Sequence, residues 1–191
     1  MSNILPIEEK TDRRIKRTRS LLDQAFQEVL SEKGFQALSV QDITGKAGVN
    51  RTTFYLHFSD KYALLDYSVS QMFRQELEKR MLNICHYSPE NLRSLITTVA
   101  EFIVDSNSQC TKVDPQFEAL VEAQVKQQVD GLLQAWVEKL ERGIDSKTAA
   151  IAGSWAIYGL ALEWGHNKKR PPVEDLARQI EPTIQAILFT A

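Results

Sequence analysis

The segment SVQDITGKAGVNRTTFYLHFSDK, Ser39 to Lys61, carries two helix starts with a glycine turn between them. Ser39 can cap a helix whose third residue is Asp42, each side-chain oxygen taking one orphan backbone donor. The first helix then runs from Val40 to about Ala47. Gly48 supplies the sharp turn, since glycine enters the left-handed region without steric cost, and Asn50 restarts a helix as its cap. Val40, Ile43, Ala47, Val49, Phe54 and Phe58 are the apolar contacts that lock the two helices at a fixed angle. Arg51, Thr52, Thr53, Tyr55, His57 and Lys61 remain outward, and all can donate to phosphate or to base edges. A helix-turn-helix places the start of its second helix in the major groove while flanking donors hold phosphates. Arg51 and Thr52 are therefore expected at bases, and Tyr55, His57 and Lys61 at phosphates.

Residue by residue the segment resembles the DNA-binding signature of the TetR family of bacterial transcriptional regulators. The resemblance rests on Ser39-Val40-x-Asp42-Ile43, Ala47-Gly48-Val49, Thr53-Phe54-Tyr55-x-His57-Phe58, and Lys61 followed by Leu64-Leu65. Thr44-Gly45 and Thr52 depart from the usual pattern. Gly45 inside a short helix costs about 1 kcal/mol relative to alanine, so that helix leans on tertiary packing. The resemblance implies an all-α chain: a three-helix DNA-binding domain over residues 1–61, and a helical effector-binding and dimerisation domain over 62–191. It implies DNA contacts from Lys16, Arg17, Ser39, Asn50, Arg51, Thr52, Thr53, Tyr55, His57 and Lys61. It further implies a homodimer through the last two helices, a palindromic double-stranded operator, and repression relieved by a small, largely apolar effector.

Composition is consistent with this. A chain of 191 residues, 43% hydrophobic and 25% charged, is long enough for a sizeable core. No run approaches the 18 or so apolar residues of a membrane span, and the polar N-terminus is unlike a signal peptide, so a cytoplasmic location is expected. Cys85 and Cys110 lie far apart without metal-ligand spacing and read as reduced thiols. The net charge of −2 divides unevenly: residues 1–61 hold 10 Lys/Arg against 8 Asp/Glu, residues 62–191 hold 13 against 17. Lys10, Arg13, Arg14, Lys16, Arg17 and Arg19 face only Asp12, a cluster suited to the DNA backbone.

Along the chain, Ile15, Leu22, Ala25, Phe26, Val29 and Leu30 predict a first helix that Gly34 ends. Asp60 caps a fourth helix expected to reach Cys85, a rod joining the two domains; the resemblance implies that it transmits effector binding. Ser88-Pro89-Glu90 starts a fifth helix, and Asn107 to Val113 reads as a loop. Asp114-Pro115 starts a sixth helix, to about Glu141. Ser146 to Gly165 mixes Ala and Gly with Ile, Leu and Trp nearly all round, so it must be covered on more than one side. Val173 to Phe189 forms the last helix, with a kink expected at Pro182.

Phe102, Phe117, Trp136, Trp155 and Tyr158, with Trp164, are the aromatic candidates for an effector site, though aromatics at helical spacing also serve as plain core. No cofactor or metal is expected. His57, His86 and His166 cannot be assembled with a nucleophile and an orienting group, and neither a phosphate-binding glycine loop nor HExxH occurs, so an enzyme is not expected. The other reading is a DNA-anchored interaction protein, or an activator, whose helical domain takes a protein partner.

Overall fold

The computed structural model describes residues 13–80, 86–109, 115–139 and 145–189; Lys10, Asp12, Cys85, Cys110, Val113, Asp114 and Glu141, invoked above, fall outside them. Among the described residues every regular element is a helix. The order is α1 (Arg13–Ala37), α2 (Val40–Ala47), α3 (Arg51–Tyr55), α4 (Lys61–Arg80), α5 (Pro89–Gln109), α6 (Pro115–Glu138), α7 (Ser146–His166) and α8 (Val173–Phe189). The start signals act as expected. Asp60 Oδ1 accepts from the Tyr62 and Ala63 amides at 2.9 and 2.8 Å, and Ser88 Oγ accepts from the Asn91 amide at 3.1 Å. Gly34 interrupts α1 at φ 74°, a conformation that side chains disfavour, and turns Phe35 back beneath the helix.

Phe26, Phe35, Leu38, Ile43, Phe54 and Phe58 fill the space between α1, α2 and α3. Outside that core, the Lys46 ammonium lies 3.1 and 3.0 Å from Glu28 and Glu32, pinning α2 to α1. α4 packs both ways. Its Tyr62 and Tyr67 rings meet Phe35 and Phe58 at centroid distances of 5.3 and 5.4 Å, while Phe73 meets Phe102 of α5 edge-on at 5.2 Å. Phe117 of α6 also reaches Phe35, at 5.8 Å. One apolar cluster therefore runs unbroken from α1 to α8.

Behind α4, helix α5 is enclosed, with Leu92, Leu95, Ile96, Val99, Ala100 and Ile103 buried. α7 packs on α5, α6 and α8. It approaches α6 and α8 closely at Gly153, where a Cβ would come within 3.0 Å of both Leu133 and Leu188. Glu181 of α8 is buried and accepts from Arg93 of α5 at 2.6 Å, a cross-helix tie.

Two expectations change. Ile15 is exposed, because the first turns of α1 project past the helices that cover Leu22 and Phe26. Asn107–Gln109 is not loop but the last turn of α5; these residues are poor rather than forbidden helix formers, and an established helix carries them. α7 is covered on more than one side, as its composition requires, while Ile151, Trp155 and Leu160 are exposed and Trp155 retains 59% of its surface.

Candidate DNA interface and adjoining cavities

The turn between α2 and α3 is braced from both ends. Ser39 Oγ accepts from the Asp42 amide at 3.2 Å, and the Asp42 carboxylate accepts from the Ser39 amide at 3.0 Å. Lys33 reaches the same carboxylate at 2.6 Å. The Lys33 ammonium first, and Ser39 next, hold the Asp42 carboxyl down to about 2. Gly48 sits at φ 66°, and its amide and that of Val49 return to Gly45 and Thr44 carbonyls. Asn50 Oδ1 then accepts from both the amide and the hydroxyl of Thr53, at 2.7 and 2.8 Å. The start of α3 is thus fixed before any ligand arrives. Arg51, Thr52 and Tyr55 stand exposed on it, with an Arg51 Nη2 to Tyr55 hydroxyl distance of 3.5 Å.

Lys61 requires a correction. Its ammonium does not face outward: it donates to the carbonyls of Phe35, Leu38 and Gln36 at 2.9, 3.0 and 3.4 Å, and lies 4.7 Å from the Phe35 ring centroid. The three donors of a lysine are therefore occupied inside the protein. The physical reason is the turn after Gly34, whose carbonyls need a donor that α1 cannot supply. Ser39, Asn50 and Thr53 are committed first to capping. His57 is half-buried, and burial, then the neighbouring Arg19 charge, lowers its imidazole below the usual range, which favours the neutral form. Lys16 and Arg17 are exposed on the first turns of α1.

Behind this head lie three adjoining cavities. A chamber of about 40 Å³ is walled by Phe26, Leu30, Leu65, Met72, Phe102 and Phe117, together with Gln27 and Ser68. A polar chamber of about 260 Å³ shares Gln27, Met72 and Phe102 with it and is rimmed by Glu76, Glu101 and Asp105; Arg80 there is ion-paired to Glu101. A third, of about 90 Å³, shares Phe117 and Val121 with the first and adds Glu118, Glu122, Tyr158 and His166.

Residues 21–67 match the family described as bacterial regulatory proteins, tetR family. The helix-turn-helix head is thus TetR-like over that segment. A segment of 59 residues is 44% identical to the HTH-type transcriptional regulator YxbF of Bacillus subtilis (strain 168), covering 30% of this chain and 16% of that protein. The chain thus spans well under two thirds of that relative. Beyond the head the likeness is one of fold. A TetR-family regulator from Streptomyces coelicolor A3 superposes with a TM-score of 0.63 at 18% identity, over 91% of this chain and 95% of that one. The dihydroxyacetone kinase operon activator DhaS does so with a TM-score of 0.56 at 20% identity, over 90% and 96%.

In this helical body the five aromatic candidates separate. Phe102 and Phe117 line the inner chamber, and Phe117 and Tyr158 the outer one. Trp136 is fully buried edge-on to Tyr87 at 6.0 Å, and Trp155 lies on the outer surface of α7. Glu118, Glu122, Lys126 and Gln27 were missed. Glu122 and Lys126 are four apart on one helix and read as a surface pair; only the α6–α7 packing brings them to Tyr158.

Proposed function

We propose that this regulator binds a palindromic operator as a homodimer and represses until a small molecule enters the cavities behind its head. The observation that carries the reading is the exposed Arg51, Thr52 and Tyr55 on a helix start held by two caps and a left-handed glycine. Residues 1–61 form the DNA-binding unit in this reading, and 62–191 the effector and dimer unit. Lys16 and Arg17 take the DNA backbone from the side of α1.

Dimerisation through α7 and α8 is supported by what those helices leave uncovered. Ile151, Gly159 and Leu160 are exposed on α7, with open space beside Gly159, and a groove of about 440 Å³ runs between Leu160, Trp164, Leu176 and Ile180. A second copy would cover these apolar surfaces and set the two recognition helices about 34 to 36 Å apart, or a multiple of that. The cytoplasm is the compartment this function needs, and none of the described helices is long and apolar enough to cross a membrane.

A second reading has one observation in its favour: the inner and outer chambers are far below the 300 Å³ or more of ordinary ligand pockets, while Trp155 is exposed. A protein partner on α7, with the head as anchor or activator, fits that.

The test is selection of bound duplexes from fragmented genomic DNA at about 150 mM salt, where purely electrostatic binding is suppressed. An enriched inverted repeat is the expected result. Recovery of DNA without a shared sequence overturns the operator reading and favours the anchored partner.

A further inference from the structure

We infer that the chamber between α5, α6 and α7 is a site for the charged head of a small amphipathic amine. Two carboxylates one turn apart on α6, Glu118 and Glu122, stand on its wall opposite the Tyr158 ring of α7. The protein already seats an ammonium beside that wall. Lys126 Nζ lies 2.6 Å from Glu122, 3.2 Å from the Trp155 ring centroid and 5.8 Å from that of Tyr158. Carboxylate on one side and aromatic faces on the other is the arrangement that stabilises a partly desolvated cation.

Tyr158 supplies the independent observation. It is 8% exposed, its hydroxyl makes no hydrogen bond among the described residues, and it lines the chamber. The hydroxyl is therefore available to an occupant of the chamber. Burial raises its pKa well above the ordinary phenol range, and the Glu122 and Glu118 charges push the same way, so both carboxylates make themselves felt at this hydroxyl. An amine N–H can donate to the phenol oxygen and to a carboxylate together. An anionic occupant would meet two carboxylates, with Lys126 already committed to one of them.

The apolar part of the occupant follows from the shared wall. Phe117 and Val121 separate this chamber from the inner one, which continues through Phe26, Leu30 and Met72. A single positive charge on a short apolar or aromatic body fits both. That this occupant acts as an effector rests on the regulator reading; the binding site itself does not.

The test is calorimetry on the whole chain, without DNA, using three ligands of one skeleton: 2-phenylethylamine, 2-phenylethanol and 3-phenylpropanoate. The cation should bind at least about tenfold more tightly than the alcohol, and the anion not measurably. Glu118→Gln and Glu122→Gln should each weaken the amine severalfold. Lys126→Met should tighten it, because the internal competitor is gone and Glu122 is free; a merely structural lysine would give no gain. Circular dichroism shows that each variant is folded. Equal binding of amine and alcohol, or an amine affinity that the Glu118→Gln/Glu122→Gln pair leaves unchanged, overturns the site. Operator binding is measured separately: DNA bound with no preference for the amine sinks this inference alone, and amine bound with no specific DNA sinks the regulator reading alone.

Discussion

Replacing Lys61 by methionine keeps the aliphatic stem and removes the charge, and it separates two roles that the sequence alone confuses. In the structure the ammonium caps the turn after Gly34 through two short bonds, to Phe35 O at 2.9 Å and Leu38 O at 3.0 Å, and a longer one to Gln36 O at 3.4 Å. The two partly enclosed carbonyls contribute about 1 kcal/mol each after allowing for rehydration in the variant. The contact with the Phe35 ring adds about 0.5 kcal/mol. Lys61→Met should therefore cost about 2 to 3 kcal/mol and lower Tm by about 5 to 10 °C for a chain of this size, read at one fixed protein concentration. Operator binding, measured across a salt series below the melting transition, should keep its slope. A phosphate clamp predicts the reverse: stability unchanged, and a log K against log salt slope shallower by about 0.9. That pair of results would refute the capping role.

Arg51→Ala should reduce the ratio of operator to random-DNA affinity by roughly 5- to 150-fold, the loss of one bidentate base contact of about 1 to 3 kcal/mol; competition binding with a scrambled duplex reads it. Gly48→Ala places a Cβ at φ 66° and should cost about 1 kcal/mol in urea unfolding even though nothing crowds the position. Asp42 gives a pH signature. Its carboxyl is held at about 2 in the folded chain, below the ordinary value of about 3.9. Its stabilisation is therefore present above about pH 4 and lost as pH falls toward 2. Acid unfolding curves of the native chain and of Asp42→Asn should separate above pH 4 and merge near pH 2, and parallel curves would remove Asp42 from the account.

The head was legible because its signals are local. A capping box, a glycine forced to positive φ and a second cap fall within twelve positions of Ser39, and each acts on the backbone beside it. The inward placement of Lys61 escaped the sequence for the opposite reason. The carbonyls it serves belong to residues 35, 36 and 38, more than twenty positions away, and no periodicity records a cation folded inward. The helical body shows the same limit. Phe117 and Trp136 look equivalent in sequence, yet one borders two chambers and the other is sealed against Tyr87. Helix register says that a residue is apolar-facing; which helix it faces is settled by packing that pattern alone leaves open.

Packing also decides how the body can act on the head. Phe117 stands on the wall of both small chambers and touches Phe35, whose carbonyl and ring hold Lys61 at the start of α4. An occupant that needs more room than these chambers offer must move Phe117 or the α1 wall formed by Phe26 and Leu30. Close-packed aromatics do not yield by small degrees, so such a shift reaches Phe35 and the turn after α1. In the proposed function, a hundredfold loss of operator affinity then requires the occupant to prefer the shifted state by about 2.7 kcal/mol. A few buried methylene groups, or one well-placed charge, can supply a difference of that size. Phe117→Leu should accordingly uncouple the two ends: it preserves most of the core volume and removes the ring that joins chamber to turn. Amine binding and operator binding would each persist in that variant, while release of one by the other would weaken.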